Sequence, residues 1–234
     1  MGFFDTTQKK FLSQFKTGSW RSEAERKESI AAVKSEGKLP VKNMLQIIAN
    51  LHASESNKER VRARMNCLEE MLEGVKDPAF VTPLLEAFPK VDAFSREYLV
   101  RILKSTYDKD FSEQYLEFFK SPDREIRRGI AEVIGSVGGK TAFTLLKRKI
   151  QTNSFTTYEE AAEALCRIAG HHSIDTLKQV ARMKNRADRM KALELLATPD
   201  YMRIRKRRAL QAIFEFLEDP DDQIRYKVIT LIGE

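Results

Sequence analysis

The chain has 234 residues, enough for one large domain or two small ones. A hydrophobic fraction of 42% excludes wholesale disorder, and a charged fraction of 32% excludes an integral membrane protein. Ten glycines and seven prolines exclude collagen-like and low-complexity chains, and 41 basic against 34 acidic residues leave a net charge of +7.

The N-terminal run MGFFDTTQKKFLSQFK has neither the apolar length nor the small-residue site of a signal peptide. Gly2 and Thr6 fit a loose myristoylation pattern, but Phe3 suits it poorly. Phe4, Phe11, Leu12 and Phe15 share one helical face, with Lys9, Lys10 and Lys16 around it. Such a helix is expected to cap the fold on its apolar face, and peripheral membrane contact is not expected. Residues 17–40 read as one charged helix and a joining turn, so 1–40 form an N-terminal helical extension or cap.

After Pro40 the punctuation is regular. Asp77-Pro78, Ser121-Pro122, Thr198-Pro199 and Asp219-Pro220 each set a side-chain oxygen before a proline, where it can accept from the first turn of a helix. Ser22 with Glu25, Ser56 with Glu59 and Thr156 with Glu159 match the capping box. Gly37, Gly74, Pro89, Gly138 and Gly170 mark helix ends. Alternation of period two is nearly absent, so no strand is expected.

The segments recur in pairs. FVTPLLEAF starts at Phe80, FSEQYLEFF at Phe111, AFTLLKRKI at Ala142 and SIDTLKQVA at Ser173, in steps of 31 residues. SPDREIRRGIAEVIGSVG from Ser121 aligns without a gap with DPDDQIRYKVITLIGE from Asp219, and YEEAAEALCRIAG from Tyr158 aligns with the segment from Ile126. A fixed period of two helices predicts an α-solenoid, because one pair cannot bury its own apolar face. About six pairs fit into 41–234.

These segments resemble HEAT repeats. The features that carry the resemblance are the Asp-Pro-like turn, the pairs Ile126-Arg127 and Ile224-Arg225 that open a second helix, and the small-residue endings at Gly135 and Gly233. It is strongest in those two units, weaker over 140–198 and weakest over 41–108. The resemblance implies an all-α, right-handed α-solenoid. A strong second helix ends at Glu234 without a polar capping repeat, so a partner or further residues of a longer chain are expected to cover it.

Chemistry-bearing motifs are scarce. Cys67 and Cys166 lie in apolar helical segments, too few for a disulfide framework or a zinc site, and free thiols fit a cytoplasmic location. Gly135, Gly139, Lys140 and Thr141 approximate a phosphate-binding loop but lack one spacer and follow a helix, so an inter-repeat turn is expected. His52, His171 and His172 form no ligand pair, and Glu159, Glu160 and Glu163 suit a helix start, so neither metal nor cofactor is expected. Hydroxylases with HEAT-like repeats use His-Glu pairs, and none occurs here. The resemblance also admits DNA glycosylases, which place Trp and Tyr beside an Asp, and bilin lyases. The only tryptophan, Trp20, lies outside the repeats, and nothing groups Tyr158, Tyr201 and Tyr226.

Charge is unevenly spread. Residues 178–208 hold Lys178, Arg182, Lys184, Arg186, Arg189, Lys191, Arg203, Arg205, Lys206, Arg207 and Arg208 against Asp188, Glu194 and Asp200, a net of +8. These bases are the candidate binding patch, suited to phosphate backbones, an anionic membrane or an acidic protein face. Only Tyr201 stands by for base stacking, Phe214 and Phe216 being expected in the core. Lys58, Arg60, Arg62 and Arg64, balanced by Glu59, Glu69, Glu70 and Glu73, read as an ion-paired helix surface. The expected function is a non-catalytic protein-interaction scaffold, its partner another protein or a further domain of the same chain. Nucleic-acid binding through 178–208 is the alternative, and a HEAT-like enzyme the third class.

Overall fold

A computed structural model describes residues 6–52, 57–151, 159–169, 171–182 and 186–233. Two compact units make up the chain, Met1–Phe111 and Ser112–Glu234. No strand occurs among the described residues.

The first unit contains α1 (Thr6–Thr17), α2 (Glu23–Ser35), α3 (Val41–His52), α4 (Lys58–Leu72), α5 (Val81–Glu86) and α6 (Ala93–Thr106). They stack as three pairs: α1, α3 and α5 form one layer, and α2, α4 and α6 the other. The N-terminal helices thus pack on α3 and α4 as another pair does. Phe11 and Phe15 of α1 are buried and stacked, with Trp20 edge-on to Phe15 at 6.4 Å. Phe4 lies outside the described residues.

The second unit contains α7 (Ser112–Glu117), α8 (Arg124–Val137), α9 (Gly139–Gln151), α10 (Glu159–Ala169), α11 (His171–Ala181), α12 (Arg186–Leu196), α13 (Pro199–Phe214) and α14 (Asp222–Gly233). Four pairs result. Here α7, α9, α11 and α13 line up in one layer and α8, α10, α12 and α14 belong to the other, with α8 and α10 the most closely packed. Among the described residues, 41–234 therefore hold six pairs, α3 to α14. Both units are all-α stacks of solenoid type.

The first helices are the irregular ones. α5 and α7 have six residues each, flanked by 3-10 turns at Pro78–Phe80, Phe88–Lys90, Lys109–Phe111 and Phe118–Lys120. Pro78, Pro83 and Pro89 limit the hydrogen-bond ladder around α5. The partners of α5 and α7, α6 and α8, have 14 residues each, because apolar residues at helical spacing bury a whole face, as Ile126, Ile130, Val133 and Ile134 do in α8.

The caps differ in detail from the sequence reading. Asp77 caps as expected, accepting from the Ala79 amide. At Ser121-Pro122 and Asp219-Pro220 the pair sits in the turn, and the cap is two residues on. Asp123 accepts from the Glu125 and Ile126 amides, and Asp221 from the Gln223 amide. Thr198 makes no side-chain cap; its hydroxyl donates back to the Leu195 carbonyl. Ser22 accepts from the Glu25 amide, but Glu25 returns to Arg21 rather than to Ser22. Asn57 caps α4, while Ser56, Thr156 and Gly170 lie outside the described residues. The turn after α8 needs its left-handed residue at Gly139, φ 57°, not at Gly138.

Arginines hold the pairs together. Arg127 is 7% exposed and donates through Nη1 to the Ser121 and Pro122 carbonyls, each at 2.9 Å. Its Nε and Nη2 reach both carboxylate oxygens of Glu160 on α10, at 3.2 and 3.3 Å. One side chain thereby closes its own inter-helix turn and binds the next pair. Replacing Arg127 by Met takes from buried Glu160 its bidentate partner. Denaturant unfolding of R127M is expected to show a loss of about 3 kcal/mol, most of it recovered in R127M/E160M.

Candidate functional site

The candidate basic patch is largely consumed by neighbouring acids. Lys178 and Arg182, on and just past α11, both pair with Glu215 at the end of α13. Arg186 pairs with Asp221 at 2.6 Å, and Arg189 with Asp219 in the turn before α14. Arg189 is mostly buried and also donates to the Ala181 carbonyl. Lys191 lies 3.5 Å from Glu194, which binds Lys227 of α14 at 2.8 Å. Glu215, Glu218, Asp219, Asp221 and Asp222 follow the basic stretch, so counting over 178–222 lowers the charge from +8 to +3.

The acids register this pairing. The hydrogen bond from Lys178 holds the Glu215 carboxyl below its ordinary range, and the bond from Arg186 does the same for Asp221. Burial pushes Glu194 up, but Lys227 and Lys191 outweigh it and the carboxyl titrates low.

Lys206, Arg207 and Arg208 of α13 are exposed and make no ion pair among the described residues. The side chains of Arg203 and Arg205, and the whole of Lys184, lie outside the described residues. So do the side chains of Asp188, Asp200, Tyr201 and Ile204. Phe216 is buried, but Phe214 is 44% exposed, contrary to expectation, because it falls on the Arg207–Gln211 face of α13.

The second basic cluster is not a surface network. Arg64 is 4% exposed and donates to the carbonyls of Phe15 and Lys16 at the end of α1, at 3.1 and 2.8 Å. Arg62 lies over the Phe94 ring, 5.9 Å from its centroid. The acids turn to other helices: Glu69 binds Arg101, and Glu70 accepts a bidentate pair from Arg26. Between α3 and α5 of the first unit runs an open groove of about 490 Å³. Leu45, Ala49, Pro83 and Ala87 floor it, and Lys42, Gln46, Asn50, Glu86 and Lys90 edge it.

No group of His, Cys, Asp or Glu suited to a metal ion occurs among the described residues. The side chains of His52 and His171 and all of Tyr158 lie outside them. Cys67 and Cys166 are buried free thiols, and burial pushes the Cys67 thiol up, away from the reactive thiolate. The glycines from 135 to 139 end α8 and open α9, so Lys140 and Thr141 sit inside a helix and no phosphate loop exists. No helix among the described residues is long and apolar enough to cross a membrane.

The sequence reading expected a cover over the last helix without naming the residues it would meet. Tyr226 and Ile229 of α14 are 70% and 61% exposed, although Ile224 and Val228 on the other side are fully buried. The gap-free alignment pairs α14 with α8. Arg225 matches Arg127 and donates to the Asp219 carbonyl at 2.6 Å, as Arg127 does to that of Ser121.

Residues 112–197, which span α7 to α12, match the family model for HEAT repeats. This segment is a HEAT-repeat array. No curated protein matches the chain. Within the HEAT array α10 packs on α8, leaving Arg128, the counterpart of Tyr226, exposed. Ala131, the counterpart of Ile229, is fully buried. A Cβ on Gly135 would stand 2.7 Å from Arg167 Cδ and 2.9 Å from its Cβ, whereas one on Gly233 would meet nothing within 4 Å. The signal for this surface was in the sequence: an α14 apolar on both sides where α8 is apolar on one.

Two tests follow from these contacts. Carboxyls held low in the folded state stabilise it above their ordinary pKa of about 4, and that support is lost as pH falls through the folded values. Amide protection factors in α11 to α14, taken against the intrinsic exchange rate at each pH, should therefore fall from pH 4 downward, and roughly 1 M salt should blunt the change. Gly135→Val should cost about 1–3 kcal/mol by overpacking, against less than about 0.5 kcal/mol for Gly233→Val, read by denaturant unfolding.

Proposed function

We propose that the chain is a non-catalytic protein-interaction scaffold whose partner seats on the open face of α14. The observation that carries the reading is the exposure of Ile229, whose counterpart Ala131 on α8 is fully buried, with Tyr226 exposed one turn before it. Two large apolar side chains at i and i+3 form an anchor of the kind that dominates binding energy once water is excluded. Exposed single apolar residues are common, but a pair on one helix face, backed by Gly233, makes a flat seat for another helix.

Nucleic-acid binding remains the second reading, supported by the exposed run Lys206, Arg207 and Arg208. Three bases without ion pairs among the described residues suit backbone phosphates, with little reading of sequence.

A photo-crosslinking residue placed at 226 or 229 in the producing cell separates these. The scaffold predicts one discrete protein adduct common to both positions and absent from position 128, the exposed counterpart on α8. Identical adducts from all three, or none, overturn it. In parallel, anisotropy of labelled duplex and single strands is measured at about 50 and 200 mM salt with the protein and with K206E/R207E/R208E. Binding is expected to vanish at the higher salt. Binding that survives there and is lost in the variant would put nucleic acid first.

A further inference from the structure

The first unit holds bases that its own acids do not neutralise. Along α2, α4 and α6 the cations find acids: Arg26 binds Glu70, Lys27 binds Glu23, and Arg101 binds Glu69. In the layer of α1, α3 and α5, by contrast, Lys9, Lys10, Lys16, Lys42 and Lys90 are exposed and make no ion pair among the described residues. The last two border the groove between α3 and α5.

That groove follows both helices. Lys42, Gln46 and Asn50 edge it at intervals of four along α3, and Glu86 and Lys90 at the same interval from the end of α5. Just past α5, Asp92 and Ser95 meet Ile48 and Leu51 of α3 around a small cavity. The end of α5 therefore lies beside the end of α3, and the two helices run the same way. Lys42 stands at one end of the groove and Lys90 at the other, with Gln46 and Glu86 between them. From Lys42 to Asn50 is about 12 Å along the helix axis. A volume of about 490 Å³ over that length leaves a section of roughly 40 Å². An α-helix, about 10–12 Å across with its side chains, is too wide to enter. An extended chain fits: four residues of it span about 13 Å, and side chains two and four apart point the same way.

We propose that this groove takes an extended acidic segment of a partner protein, with the pattern acid, any residue, apolar residue, any residue, acid. One carboxylate meets Lys42 and the other meets Lys90. The apolar side chain between them lies on the floor, where Ala49 and Ala87 leave room for it. Gln46 donates and accepts and Glu86 accepts, so the two serve the backbone groups of a chain passing between them. Lys9, Lys10 and Lys16 add a field that draws an acidic segment to this layer. The site is separate from the α14 face and does not depend on it.

The probe is a display library of random linear peptides, selected against the whole chain and counter-selected on K42E/K90E. Enriched peptides are labelled and titrated by anisotropy at about 150 mM salt. The expected consensus has two acids four apart around an apolar residue. Lys42→Gln and Lys90→Gln should each weaken binding about fivefold, the effect of losing one solvated charge-assisted contact. Ala49→Phe should fill the floor and abolish binding, and Lys206→Gln and Ile229→Glu should leave it unchanged. Moving one acid of the peptide by a single position should weaken binding as much as deleting it, because an extended chain then turns it to the other face. Acids seven or eight apart, as on a helix, overturn the proposal. So do binders indifferent to acid spacing or to Lys42→Gln and Lys90→Gln, binders lost in Ile229→Glu, and a library that yields none. Failure here leaves the α14 reading standing, since that reading is tested by crosslinking in the other unit.

Discussion

Guanidinium groups that bind backbone carbonyls are the constraint on which this fold depends. A helix pair must reverse direction, and the reversal strands the last carbonyls of the first helix away from intrahelical partners. Water would serve them, but the stack buries them. Arg127 and Arg225 answer from the start of the second helix, reaching back six residues to Ser121 and Asp219. Arg96 reaches the Phe88 carbonyl, Arg189 that of Ala181, and Arg64 the end of α1. Lys76 does the same for Ser105 and Tyr107, at 2.6 and 2.7 Å. Arginine suits the task because its rigid fork serves two acceptors at once and keeps its charge at any relevant pH.

That use of basic residues explains why net charge misleads as a guide to a binding surface. A solenoid layer sets each helix beside its neighbour one repeat away, so a base finds its acid about thirty residues along the chain. Arg148 binds Glu113, Lys149 binds Glu117, Arg182 binds Glu215, and Arg186 binds Asp221, at separations of 32 to 35 residues. A window of the same length cut anywhere along the chain separates partners and creates an apparent excess. The true surface charge is what remains after the repeat spacing has been applied.

The fold was legible because its information is local or periodic. Gly37, Gly74 and the proline turns at Pro78, Pro122 and Pro220 are visible in one sequence, and they mark turns found in the structure. The alignment of Ser121 with Asp219 even matched side chains that make the same hydrogen bonds. What the sequence hid was direction. Arg64 and Arg62 differ by two positions, hence by about 200° around α4, so one is buried and the other lies on Phe94. Phe214 was expected inside because it is apolar, yet the helical phase of α13 turns it outward. On α14 the sequence pointed to an uncovered last helix but not to the residues left open. Ile229 looks like core, and only comparison with Ala131 reveals that nothing among the described residues covers it.

The broken first helices have a consequence for assembly. A six-residue helix such as α5 or α7 gains too few hydrogen bonds to offset its nucleation cost in water. It exists only once a longer neighbour offers it a surface. The longer helices around α5 and α7 must therefore form first, and the two short ones condense onto them. Contacts between neighbours in sequence dominate such a route, so the chain need not search widely, and folding can advance from either end of a stack.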